Sequence, residues 1–158
     1  MMHSIELDTS DQFTVAEQHL LFLKNATGNV VHGAINLKKT DSLYLEYLFH
    51  ALAPFLLRQS SGWPSRAMVI GLGAAEIARF MHAHFPECEL HIAEISKHVI
   101  DLARRSFQCP PDGPKFTVHH CCGAEFVRQT DSTYDYLLVD GFSADGEPGP
   151  LESVDFYN

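Results

Sequence analysis

The sequence predicts an α/β fold: a mainly parallel sheet with helices packed on it, preceded by a small antiparallel β layer. Three observations point there. Strand-like apolar runs and helix-like amphipathic runs alternate from 67 to 139, the pattern that builds a parallel sheet. The first of those strands ends in Gly71-Leu72-Gly73, and the second ends in Glu94. A glycine turn and an acid therefore fall where two neighbouring strands finish.

The elements follow in order. Residues 13–17, 20–23 and 30–37 read as short strands with a turn at 25–28, which makes a hairpin layer of 1–40. From Asp41 the pattern changes. Leu45, Leu48, Phe49, Leu52, Leu56 and Leu57 recur at helical spacing, with Asp41 or Ser42 placed to cap the start and Pro54 placed to divide the helix. The polar stretch 59–65, with Gly62 and Pro64, is a connector. After it come a strand at 67–70, a helix over 74–85, a strand at 90–93, a helix capped by Ser96 and running to Phe107, a strand at 116–120 and a short helix over 124–129. The last strand, 134–139, carries an apolar run that predicts burial on both faces. Residues 41–158 thus form the α/β part, without internal repeats or low-complexity segments.

Composition narrows the function classes. A chain of 158 residues with 46% hydrophobic residues and eleven Phe supports one globular core. Eleven basic against twenty acidic residues give a formal charge of -9, which repels a phosphate backbone, so nucleic acid is not an expected partner. The amino terminus lacks the basic start and apolar stretch of a signal peptide. The longest apolar stretch, 48–57, is interrupted by His50 and Pro54 and is about half of a membrane span. Four cysteines, Cys88, Cys109, Cys121 and Cys122, form no CxxC pair, which reads as reduced thiols and a cytoplasmic protein.

The strand ends carry the chemistry. Gly71 and Gly73 have no Cβ, so the backbone there can approach a ligand while the following helix start offers N–H groups. Glu94 follows Gly71 by 23 positions, and a carboxylate at that strand end can accept hydrogen bonds from both hydroxyls of a ribose. Ligands of such sheets bind at the carboxyl edge, where Gly71, Gly73, Glu94, Cys122 and Asp140 all fall. Each has a plainer reading as well: a tight turn for the glycines, a solvated strand end for Glu94, and a turn before Gly141 for Asp140.

Several stretches resemble the spermidine synthases and their relatives. They are Ile70-Gly71-Leu72-Gly73-Ala74, Ala93-Glu94-Ile95, the helix Val99-Ile100-Asp101-Leu102-Ala103-Arg104, Leu138-Val139-Asp140-Gly141-Phe142, and Asp155-Phe156-Tyr157. The early strands and Asp41-Ser42-Leu43-Tyr44-Leu45-Glu46-Tyr47 resemble that family's β layer and first helix, so the likeness spans nearly the whole chain. The resemblance implies a Rossmann-like S-adenosylmethionine methyltransferase sheet binding S-adenosylmethionine or decarboxylated S-adenosylmethionine as substrate, without a metal. It implies Gly71 and Gly73 on the methionine part, Glu94 on the ribose, and Asn36, Ile95, Cys122 and Gly123 among the nucleoside contacts. Asp140 takes the place of the acid that accepts a proton from the attacking amine.

The chain also departs from that pattern. The glycine motif lacks its usual Asp near Ala74, and Cys122 stands where an acid meets the adenine amino group. Asn36 replaces a Gln. Ser143 stands where a second amine-binding acid is usual, and Leu45-Glu46-Tyr47 stands where the amine pocket carries Tyr-His-Glu. Transfer to an amine needs both a carboxylate and an oriented nitrogen, and of these only the carboxylate is retained. Two readings follow: a transferase with a diverged catalytic set, or a non-catalytic relative that binds a nucleoside or a partner protein.

His119-His120-Cys121-Cys122 holds four zinc-ligand residue types in a row. On a strand, alternate side chains diverge, so the four cannot share one tetrahedral ion. His82 and His84, two apart on a helix, read as surface residues. The family's sheet extends beyond the four parallel strands this chain supplies, so either the strand 134–139 is at an exposed apolar edge, a template for pairing in a homodimer, or the chain is a piece of a longer protein.

Overall fold

A computed structural model describes residues 5–8, 18–25, 28–58, 62–143 and 147–158. Three strands come first: β1 (Ile5–Asp8), β2 (Gln18–Asn25) and β3 (Gly28–Asn36). They form an antiparallel sheet in the order β1-β2-β3, with a register shift at Leu21/Phe22. The expected hairpin layer is present, β1 is a strand the pattern reading did not find, and the strand expected at 13–17 lies outside the described residues.

The second sheet consists of β4 (Arg66–Ile70), β5 (Glu89–Glu94), β6 (Phe116–His120) and β7 (Tyr136–Val139). All its pairings are parallel, in the order β6-β5-β4-β7. The crossovers are α3 (Glu76–His84), α4 (Lys97–Ser106) and α5 (Gly123–Gln129). Ser96 caps α4 as its position predicts, its hydroxyl accepting the Val99 N–H at 3.3 Å. A 3-10 turn at Gly149–Glu152 leads into α6 (Val154–Tyr157), which Ser153 caps through the Phe156 N–H.

Alternation along the strands divides the core between the two faces of this sheet. Val69, Leu90, Ile92 and Phe116 pack with Ala78, Met81, Val99, Ile100 and Ala103 of α3 and α4. Met68, Ile70 and Ala93 face Ala124 of α5 and Phe156 of α6. A third cluster ties the first sheet to the turn after β4 and to α4: Ile35 of β3 packs with Ala74, Leu102 and Phe107. Full burial of side chains of this size stabilises by roughly 1.5–3 kcal/mol each.

Two expectations are corrected. The helix expected to begin at Asp41 or Ser42 begins at Glu46, as α1 (Glu46–Ala51), with Leu45 at its N-cap. Segment 37–45 is turns instead, because the N–H groups of Tyr44 and Leu45 bond to the distant carboxylate of Glu76. Pro54 does divide the run, opening α2 (Pro54–Leu57). The second correction concerns β7, which is not buried on both faces: Leu137 is 42% exposed. Among the described residues it is the edge strand, paired with β4 alone.

Candidate functional site

Parallel pairing continues past the strand ends and draws the carboxyl rim together. The Gly71 N–H donates to the Ala93 carbonyl (2.8 Å), Asp140 N–H to Ile70 (2.8 Å), and Cys121 N–H to Glu94 (3.1 Å). Gly71, Glu94, Cys121-Cys122 and Asp140 therefore line one edge of the sheet, as the order of strand ends predicts.

At the turn after β4 the backbone enters left-handed conformations at Gly71 (φ +103°), Gly73 (φ +51°) and Ala75 (φ +55°). Gly71 is required for a second reason. A Cβ there would lie 2.5 Å from the Asp140 carbonyl oxygen and 2.9 Å from its carbon. Ala75, fully buried at the N-cap of α3, takes the left-handed state without glycine's freedom, a strain of order 1–3 kcal/mol of the kind found at functional turns.

Glu94 closes the other side of this turn. Its Oε2 accepts the Leu72 N–H at 2.9 Å, and its Oε1 accepts the Ser96 N–H at 2.8 Å. The residue is 8% exposed. Two backbone donors thus fix the carboxylate plane, and each oxygen keeps a further lone pair for a ligand hydroxyl. Ile95, just beyond, is 70% exposed at the rim, and its carbonyl faces His120 Nε2 at 3.2 Å.

The remaining expected residues fall around this centre. Cys122 is the N-cap of α5 and makes no side-chain cap bond; Gly123 and Ala124 behind it are buried. A side chain at Gly123 would collide with Ile70. Asn36 ends β3, and its Oδ1 accepts the Lys38 N–H at 2.9 Å, within its own turn. The histidine and cysteine run separates as alternation requires. His119 Nε2 meets His91 Nδ1 at 2.9 Å, and His120 points to the Ile95 carbonyl. Burial, then the neighbouring His91, pulls the His119 pKa down.

Asp140 is half-buried, and its Oδ2 accepts the phenol O–H of Tyr47 at 2.8 Å. Burial pushes its carboxyl pKa up, the Tyr47 hydrogen bond opposes that rise, and the charge of Glu76 adds to it. Burial and the Asp140 charge push the phenol pKa up in turn, so Tyr47 stays a donor.

Two residues that shape this site escaped sequence reasoning, Glu76 and Arg79, while Tyr47 reads there only as a departure from the amine pocket of the family it resembles. Glu76, 5% exposed, accepts N–H groups from Ala34, Tyr44 and Leu45. Arg79, 4% exposed, donates to the carbonyls of Thr40, Ala74, Phe107 and Ala34. Burial lowers its pKa to about 10, against the opposing pull of Glu76. Together they staple β3 and the turns after it to the glycine motif. The available signal was a Glu and an Arg three apart within the apolar run Ala74-Ala75-Glu76-Ile77-Ala78-Arg79, where unpaired charges would be costly.

The fold and rim define a class: a Rossmann-like sheet of the S-adenosylmethionine methyltransferase type. No family model matches the chain. It is 28% identical over 152 residues to a polyamine aminopropyltransferase of Chromobacterium violaceum, covering 96% of this chain and 55% of that one. Among solved structures, a probable spermidine synthase from Corynebacterium glutamicum superposes with a TM-score of 0.78 at 21% identity, over 98% of this chain and 55% of that one. A spermidine synthase in complex with the transition state analogue AdoDATO superposes with a TM-score of 0.57 at 22% identity, over 97% and 50%. The chain is therefore similar to the spermidine synthase-like branch of that fold, and it spans about half the length of the relatives it matches.

Proposed function

We propose that the carboxyl rim binds S-adenosylmethionine or its decarboxylated form. In this reading the backbone at Gly71 and Gly73 receives the chain beyond the sulfonium, and Glu94 accepts the two ribose hydroxyls. Ile95, Cys122 and Gly123 flank the adenine, and Asn36 adds a polar contact from β3. The carrying observation is the Glu94 carboxylate, held by the Leu72 and Ser96 N–H groups directly beside the glycine turn. A structural neighbour, a spermidine synthase, is in complex with the transition state analogue AdoDATO, which supports the reading.

If an amine acceptor is used, its nitrogen attacks the carbon next to the sulfonium, the C–S bond breaks, and the lost proton goes to Asp140. A carboxyl whose pKa is raised by burial accepts that proton more readily. A second reading, a nucleoside-binding relative without turnover, is favoured by the Tyr47 hydroxyl already seated on Asp140. Four free thiols suit a reducing compartment such as the cytoplasm, and no described helix is long and apolar enough to cross a membrane.

Calorimetric titration with S-adenosylmethionine, its decarboxylated form and methylthioadenosine tests the reading; no heat from any of the three would end it. Mixing decarboxylated S-adenosylmethionine with an amine then separates the two readings by product formation. We also propose that the β7 edge, paired among the described residues with β4 alone and with Leu137 exposed, pairs with a second copy. Sedimentation equilibrium should give a dimer mass, and a monomer at high concentration would contradict it.

A further inference from the structure

Tyr47 is set in place rather than loosely attached. Two residues ahead of it, Leu45 is held through its N–H by Glu76 Oε1 at 2.9 Å. One residue after it, Leu48 is 2% exposed in the main core. At the far end of α1 the Ala51 carbonyl accepts the Tyr136 hydroxyl at 2.6 Å, tying the helix to β7. The helix backbone is thus pinned at both ends and its middle, while the Tyr47 side chain is 48% exposed and its hydroxyl is held by Asp140, 93 positions away in sequence.

Asp140 would otherwise attract cations. Among the described residues no lysine, arginine or histidine forms an ion pair with it, and the nearby Glu76 charge makes its surroundings more negative. A partly desolvated, unpaired carboxylate is a strong site for an ammonium group. Tyr47 supplies a neutral donor in its place: its hydroxyl occupies Oδ2 without bringing a positive charge.

We propose that Tyr47 determines acceptor specificity, its hydroxyl occupying the face of Asp140 that an aliphatic ammonium would need, so that the crevice refuses diamines. The proposal rests on the nucleoside-binding reading for its setting, but its test does not. An amine must displace the phenol, giving up a charge-assisted hydrogen bond, before it can reach Oδ2.

The test is calorimetric titration of the chain with 1,4-diaminobutane for the wild type, Tyr47→Phe, Tyr47→Ala, and Tyr47→Phe combined with Asp140→Asn. Removing the hydroxyl should raise diamine affinity by at least about tenfold, the scale of one charged hydrogen bond. The gain should vanish in the double variant and below the pH at which Asp140 protonates, which a merely structural role for Tyr47 would not produce. Should Tyr47→Ala not fold, Tyr47→Phe decides. A gain smaller than tenfold, or one that survives Asp140→Asn, overturns the proposal. A parallel titration of the wild type with methylthioadenosine judges the nucleoside reading separately, since failure there leaves the diamine comparison intact.

Discussion

The Glu94 carboxylate accepts the Leu72 N–H at 2.9 Å across 22 positions of sequence. This bond joins the end of β5 to the glycine turn after β4. It links the two features that point to a nucleoside, so the acid cannot drift from the turn whose backbone it serves.

Replacing Glu94 should therefore act on the ligand and the turn together. Glu94→Ala should weaken methylthioadenosine binding by about 1.5–3 kcal/mol, the worth of hydrogen bonds to a charged group. Glu94→Gln, which keeps one carbonyl oxygen, should lose less. Calorimetry gives the affinities, and equal affinity in all three proteins would place the ribose elsewhere.

Gly71→Ala combines a forbidden contact with a forbidden backbone state. Its Cβ would sit 2.5 Å from the Asp140 carbonyl oxygen at φ +103°. We expect a loss of stability of at least about 1–3 kcal/mol, read as a lowered midpoint in urea unfolding with an unchanged slope.

Glu76 anchors the segment that carries Tyr47. Glu76→Ala would leave the Ala34, Tyr44 and Leu45 N–H groups without their acceptor. At about 1–3 kcal/mol for the buried Ala34 donor and less for the part-buried Tyr44 and Leu45 donors, it should be the most destabilising of these changes, while Glu76→Gln should recover part of the loss. Urea unfolding of both variants checks the order.

Asp140 makes stability depend on pH. Its folded-state pKa is raised, chiefly by burial, so the folded chain favours the protonated acid. The resulting stability is fully present below the ordinary aspartate pKa of about 4 and is lost as pH rises through the raised value. Asp140→Asn has no such loss and can still accept the Tyr47 hydroxyl. Its melting temperature relative to the wild type should climb between acid and neutral pH; a constant difference would contradict this.

What the sequence discloses is local. The strand-helix alternation, the Gly71-Leu72-Gly73 turn, Glu94 at its strand end and the Ser96 cap are written in neighbouring residues, and the structure keeps all of them. What it conceals is long-range. Asp41 and Ser42 look like a helix start, yet Glu76, more than thirty positions on, takes the N–H groups that would continue a helix from there. Tyr47 reads as a departure from the amine pocket of the resembled family, and nothing near it in sequence discloses that β7 brings Asp140 against it. Leu137 belongs to an apolar run that predicts double burial, but its exposure depends on what lies beside β7. Such partnerships are set by tertiary packing, and periodicity does not carry them.

The most direct measurement is a crystal structure of the chain grown with methylthioadenosine. The ribose hydroxyls should lie within hydrogen-bond distance of the Glu94 carboxylate, with the thioether beside Gly71 and Gly73. A rim that stays empty at saturating nucleoside, or a nucleoside bound away from Glu94, would contradict the account.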